Sequence, residues 1–241
     1  MYQDDDLVAI DKPAGLLVHR TGLDAGETQF AVQRLRDQIG RAVWPVHRLD
    51  KGTSGVLLFA LNARTTSAAC SLFESDDVTK TYRAVVRGWP PDAGLIDHPL
   101  RRLPDDLRAT ARALDVQPAR TRFRTLARCA LPLPYGDHSD TRCALLALEP
   151  LTGRRHQLRR HCKHMAHPII GDATHGKGPL NRALAAWLGV QRLWLHAVTL
   201  ELPHPVTGMP LRLCAPVGDE WSAWPMRAPD AAAASHIPSS R

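Results

Sequence analysis

The feature that most limits the fold is an abundance of strand-like runs with few helices to carry parallel crossovers. LVAI (7–10), GVLLFAL (55–61), VTKTYRAVVRGW (78–89), RTRFRTLARC (120–129), TRCALLALEP (141–150) and RLWLHAVTLEL (192–202) recur along the chain. They are rich in β-branched, aromatic or alternating apolar residues. A parallel pair needs a connection of a dozen or more residues, usually helical. Helical spacing is weak in ETQFAVQRLRDQI (27–39), where Phe30, Leu35 and Ile39 are anchors and Gly40 a stop. Asn62 is suited to cap a helix running to about Phe73, and NRALAAWLG (181–189) reads as a short helix. The predicted fold class is therefore α/β of the α+β type, with a central, mainly antiparallel sheet and flanking helices and loops.

The connections are read from turn chemistry. LVAIDKPAGLLVH (7–19) reads as strand, turn, strand, punctuated by Lys12-Pro13-Ala14-Gly15. PLPYGDHSD (132–140) reads as a loop. Residues 90–120 are rich in proline and charge without a sustained period, and are expected to leave the core as a surface arm. The small, polar RAPDAAAASHIPSSR (227–241) reads as a tail. We expect one catalytic domain over residues 1–220, then a largely disordered tail over 221–241.

Composition narrows the class. The chain has 241 residues and is 44% hydrophobic, enough for a sizeable core. No run approaches the length of a membrane span, and the acidic start MYQDDD is unlike a secretory signal. Five cysteines without a CxxC pair fit reduced thiols in a cytoplasmic protein. A net charge of +7 favours a polyanionic partner without separating RNA from DNA or an anionic membrane. Arg154, Arg155, Arg159, Arg160 and Lys163 crowd into one segment, with His156, His161 and His164 among them.

Two stretches carry candidate chemistry. In HRLDKGTSG (47–55), Asp50 is a carboxylate able to take a proton, attack an electrophilic carbon or fix a neighbour. If this stretch is extended, Arg48 and Asp50 share one face and His47 and Leu49 the other. Thr53, Ser54 and Gly55 can form a polar turn into the following strand. Taken alone, the stretch also suits an ordinary structural Arg–Asp pair. In TGRRHQLRRHCKH (152–164), a helix would align Arg155, Arg159 and Lys163 as a basic stripe beside Leu158. Alternatively, one arginine turns inward to neutralise a carboxylate. The histidines at 156, 161, 164 and 167 lack an HExxH pattern, so no metal is expected. GDATHGKG (171–178) imitates a phosphate-binding loop but has Gly178 where Ser or Thr should follow the lysine, and no adjoining strand and helix are evident. Tyr82 suits either the core or stacking on a base, and Trp194 suits packing.

Together, DKPAGLLVH (11–19), HRLDKGTSG (47–55), KTYRAVVRG (80–88), TGRRHQLRRH (152–161), HPIIGD (167–172) and RLWLHA (192–197) resemble, in order, the motifs of RluA-type pseudouridine synthases. The resemblance spans about residues 5–215. It implies the pseudouridine synthase catalytic fold and isomerisation of uridine within RNA, without metal or organic cofactor. The N1–C1′ bond breaks, the uracil turns, and C5 joins C1′, with the base extruded from its stack. By motif, Asp50 resembles the essential aspartate, Tyr82 the aromatic packed on the base, and Arg159 the arginine paired with the aspartate. Leu158 resembles the apolar pocket residue, and Arg48 the arginine that takes the flipped nucleotide's place or grips its backbone. His47, Thr53 and Arg155 are further candidate substrate contacts.

The resemblance is strongest to the branch acting on transfer RNA at uridine 65 in the T stem. Details include DQIG (37–40), TGRRHQLRRH and His175, where many relatives have tyrosine. The first motif starts almost at residue one, so no S4-like domain is expected ahead of it. A monomer with a transfer-RNA substrate and no obligate protein partner is the expected assembly. The rivals are a synthase acting on ribosomal RNA or several RNAs, and a non-catalytic RNA-binding protein.

Overall fold

A computed structural model describes residues 1–20, 26–103 and 115–226. In chain order, the first elements are β1 (Tyr2–Gln3), β2 (Leu7–Lys12), α1 (Ala31–Ile39), β3 (Trp44–Pro45), β4 (Ser54–Ala60) and α2 (Ala63–Glu74). Then come β5 (Thr79–Arg87), β6 (Ala93–Asp97), β7 (Leu100–Arg101), β8 (Val116–Gln117), β9 (Arg120–Leu131) and β10 (Thr141–Pro150). The remainder is α3 (Gln157–His164), α4 (Gly178–Leu188), β11 (Leu195–Pro203), β12 (Pro210–Cys214) and a 3₁₀ turn at Asp219–Ala223.

The main sheet of the described residues runs β1-β2-β4-β11-β5-β10-β9-β6, with β12 on β11 and β3 on β4. Only the β4–β11 pair is parallel. This is the mixed, mainly antiparallel sheet that the scarcity of crossover helices predicts. Burial explains the strand sequences. β4, SGVLLFA, is buried at every position because both its faces are covered. β9 alternates, turning Thr121, Phe123, Ala127, Cys129 and Leu131 inward and arginines outward.

The helices follow their local signals. Asn62 accepts the Thr65 amide at 2.8 Å and starts α2. Gly40 ends α1 in the left-handed region at φ 69°, with its amide on the Arg36 carbonyl. α3 packs Leu158 and Cys162 against Val86, Leu146, Leu148 and Leu195 of the sheet. Each such buried aliphatic side chain contributes roughly 1.5–3 kcal/mol.

Several expectations need correction. No second strand follows the Lys12–Gly15 turn; Leu17 makes a single bridge to Phe30, because residue 17 meets the start of α1 instead of a strand. Within residues 90–120, β6 extends the main sheet beside β9, so that part is not an excursion; residues 104–114 lie outside the described residues. A helix does begin at Gly178, after the phosphate-loop imitation. The boundary at residue 220 falls too early. Trp221 and Trp224 lie edge-on to Trp194, at centroid distances of 5.4 and 5.3 Å, and are buried with it. Residues 227–241 lie outside the described residues.

Gly55 shows how closely the central strands meet. Its φ is +108°, and an added methyl would overlap the Ala197 carbonyl on β11. Gly55→Ala is expected to cost about 3 kcal/mol or more. Gly136→Ala, at φ +62° with open space around it, should cost only about 1 kcal/mol. Urea unfolding of the two variants checks the contrast.

Candidate active site

The sheet brings the separated motifs into one row. In register, Gly55 lies beside Ala197, and Ala197 beside Tyr82. Tyr82 therefore stands two strands from the start of β4, roughly 10 Å across the sheet. On its other side Tyr82 pairs with Leu148 of β10, whose end leads through residues 151–156 into α3.

The loop carrying Asp50 is tied from several directions. The Thr53 amide donates to the Asp50 carbonyl at 3.0 Å, closing the turn into β4. Ser54 Oγ meets His196 Nδ1 at 2.8 Å and accepts Arg192 Nη2 at 2.6 Å. Lys12 is fully buried, and its Nζ donates to the carbonyls of Pro13, Leu16 and Lys51 at 2.9, 2.7 and 3.2 Å. The first motif is thus fastened to the residue after Asp50. Burial lowers the Lys12 pKa to about 8, opposed by the Asp50 charge.

Arg159 joins two carboxylates. Its Nη1 donates to Asp50 Oδ2 at 2.9 Å, while Nε and Nη2 each reach Asp172 at 2.8 Å in a bidentate pair. Asp172 Oδ1 also accepts the amides of Thr174 and His175, both at 2.9 Å. Burial alone would lower the Arg159 pKa, but Asp172 and Asp50 raise it, so the guanidinium stays charged. Burial alone would raise the Asp172 pKa, yet Arg159 and the two amides hold it low. The Asp172 side chain is wholly inaccessible, whereas Asp50 keeps 27% exposure and faces open space.

That space is two clefts of about 370 and 460 Å³, which share Arg48, Leu49, Asp50, Arg155, His156 and Arg159. His47, Thr53, Tyr82 and Leu158 line the first. All eight residues singled out in the sequence therefore border one site. Their orientations differ from expectation in two respects. His47 Nε2 accepts the Leu58 amide at 3.0 Å and its ring stacks on Phe73 at 4.8 Å, so the ring braces β4. The basic stripe does not form: α3 begins only at Gln157, leaving Arg155 ahead of it, and Arg159 points inward.

Sequence reasoning missed Asp172, His156 and Gln157. Gln157 accepts Thr152 Oγ1 and the Arg154 amide, and donates to the Arg120 carbonyl and Thr121 Oγ1, fixing the start of α3 against β9. Its place between His156 and Leu158 within HQLR was the available signal. The other histidines of the segment are also engaged. His161 bonds Thr121 and the His98 carbonyl, His164 stacks on His98, and His167 bonds the Arg87 carbonyl.

Residues 6–164 match the RNA pseudouridylate synthase family. The chain belongs to that family. The synthase is 46% identical to tRNA pseudouridine synthase C of Vibrio cholerae over 92% of this chain and 91% of the relative. It is 48% identical to the protein of that name from Pasteurella multocida, over 92% of each chain. The solved structure of human RNA pseudouridylate synthase domain containing 1 is similar with a TM-score of 0.72 at 26% identity, covering 94% of the synthase and 87% of the human chain. Human RNA pseudouridylate synthase domain containing 4 gives 0.68 at 26% identity, over 95% and 94% of the two chains. The synthase is accordingly an isomerase of the RluA type, with the expected catalytic fold.

Two measurements probe the site's construction. Asp172→Ala leaves the Arg159 charge buried beside Asp50 alone, and should lower unfolding free energy by about 3 kcal/mol, read by urea denaturation. Burial and nearby Lys80 lower the His47 pKa from 6.5 to about 3. The unfolded chain then binds that proton more readily, so the His47 contribution is complete above pH 6.5 and declines as pH falls toward 3. His47→Gln, which keeps an acceptor for the Leu58 amide, should flatten that part of the stability–pH profile.

Proposed function

We propose that this chain isomerises uridine to pseudouridine in transfer RNA, at uridine 65 of the T stem, with Asp50 as the essential carboxylate. The observation that carries this reading is Asp50 itself, held by Arg159 through Oδ2 while its side chain remains open to both clefts. An extruded nucleotide can place its base in the first cleft, against Tyr82 and Leu158, and its sugar at the carboxylate. The transfer-RNA substrate is supported by the names of relatives nearly half identical over almost the whole chain. Position 65 is supported by the branch-specific motif details.

The chemistry balances without redox change. The N1–C1′ bond breaks, C5–C1′ forms, one proton leaves C5 and one reaches N1. Asp50 supports each available route, whether it attacks C1′, takes a sugar proton or adds to uracil C6. The Arg159 guanidinium holds Oδ2 of the carboxylate and limits its rotation before substrate arrives. Burial, reinforced by the Asp50 charge, raises the Tyr82 pKa well beyond its usual range. Tyr82 is thereby suited to packing and hydrogen-bond donation more than to proton abstraction. Arg48, exposed at the rim of both clefts, is placed to grip the RNA backbone or fill the vacated stack, and Arg155 adds positive charge there. Thr53 borders the first cleft, and His47 acts by bracing it.

A site-resolved pseudouridine map of RNA from cells with and without the gene tests the proposal. Loss of the T-stem signal at position 65 is expected. An intact signal there, with loss in ribosomal RNA, would replace the substrate while keeping the reaction. With purified protein, Asp50→Asn should cut product formation by roughly a thousand-fold or more while retaining RNA binding. Product formed at the wild-type rate would reject Asp50 as the essential group.

A further inference from the structure

His156 holds an unusual position. It precedes α3 with φ 55°, in the left-handed region that few residues other than glycine adopt. Its side chain makes no capping hydrogen bond to the helix it introduces. Instead the ring lies between two other groups. Nε2 is 3.9 Å from Asp50 Oδ1, the oxygen that Arg159 does not hold, and Nδ1 is 3.1 Å from His175 Nε2. The two imidazoles meet edge to face, at 77° and a centroid distance of 5.4 Å. A non-glycine residue kept in a strained conformation, with its ring aimed at an active carboxylate, indicates a constraint imposed by the site.

Building on the reading of Asp50 above, we propose that His175 is a positioning residue for the isomerisation, acting through His156 on the free oxygen of Asp50. Proton placement follows from the acceptor at one end. At 3.9 Å there is no hydrogen bond, and the negative charge of the carboxylate alone turns the Nε2–H end of the His156 ring toward Asp50 Oδ1. His156 Nδ1 is then an acceptor, and His175 Nε2 the donor that fixes the tautomer. The 3.9 Å gap marks this face of Asp50 as steered rather than bonded, leaving Oδ1 available to substrate.

The loop at 171–178, which imitates a phosphate-binding motif, thus has a different use. It approaches Asp50 along two lines. Asp172 acts through Arg159 on Oδ2, and His175 acts through His156 on Oδ1. The lines share an anchor, since the His175 amide donates to Asp172.

Burial above all keeps the pair neutral. Burial lowers the His156 pKa to about 4; Asp50 opposes this, while Arg159, His175 and Arg155 reinforce it. Burial also lowers the His175 pKa, opposed by Asp172 and reinforced by Arg159, Lys163 and Arg160. Protonating His156 requires its Nδ1, which is occupied by the His175 donor. Removing that donor frees the nitrogen, and Asp50 then favours the imidazolium.

The test uses the full chain and bulk transfer RNA from cells lacking the gene. Wild type and Asp50→Asn run as controls. If wild type forms no product on this RNA, the proposed reaction fails, a result distinct from failure of the relay. With wild type active, His175→Phe should lower kcat about ten-fold, the rate equivalent of one net hydrogen bond. It should leave KM for RNA unchanged and move the acid limb of kcat to higher pH. His175→Gln, which retains an N–H donor, should recover most of the loss. Wild-type kcat with an unmoved acid limb in His175→Phe overturns the proposal. So does an equal loss in both variants with unmoved limbs, since that is the signature of packing alone. If His175→Phe does not fold, His156→Asn carries the test, because asparagine tolerates the left-handed backbone. An unchanged kcat there overturns the proposal, and a ten-fold loss with unchanged KM supports it.

Discussion

The rest of the site depends on one buried cation shared by two carboxylates. Arg159 gives two of its donors to Asp172, which is inaccessible, and one to Asp50, which is open to solvent. Burying a guanidinium without partners would be costly, so the bidentate pair is what allows Arg159 to lie inside the fold. Once there, it presents a fixed positive charge to a carboxylate at a cleft. The asymmetry divides the labour: Asp172 stabilises the arginine, and the arginine orients Asp50.

This arrangement requires three remote pieces of chain to meet within hydrogen-bond distance. The sheet supplies the frame. β4, β11, β5 and β10 lie side by side, and their register sets Gly55, Ala197, Tyr82 and Leu148 in one row, close to the loop before β4 and the segment after β10. Gly55 allows close contact between β4 and β11, Gln157 pins α3 to β9, and Lys12 fastens the opening turn to the Asp50 loop. Each is a local device with a distant effect, because a displacement of one ångström would break the contacts made by Arg159.

Much of this was legible in the sequence, for identifiable reasons. Strand positions follow from alternation and β-branching, as in β9, and from unbroken apolarity, as in β4. Asn62 and Gly40 mark helix ends through effects confined to neighbouring residues. The short strands β1, β3, β7 and β8 have two residues each, too few for a period to emerge. The second strand read after Gly15 failed because apolar residues there pack beside α1 rather than along a neighbour. The proposed basic stripe assumed a helix from residue 155. The left-handed backbone at His156 delays the helix and turns the register inward.

The sequence by itself determined the chemical vocabulary: an aspartate in a polar turn, an aromatic strand residue and an arginine-rich segment, in an order that points to one family. Such features are carried by side-chain type and near-neighbour spacing. Only the tertiary structure decided which arginine faces Asp50, that Asp172 supports it, and that His156 approaches its other oxygen with His175 behind it. The relations to Asp50 join residues more than a hundred positions apart, as with Arg159. They arise from strand register and the burial of charge, neither of which a linear spacing contains.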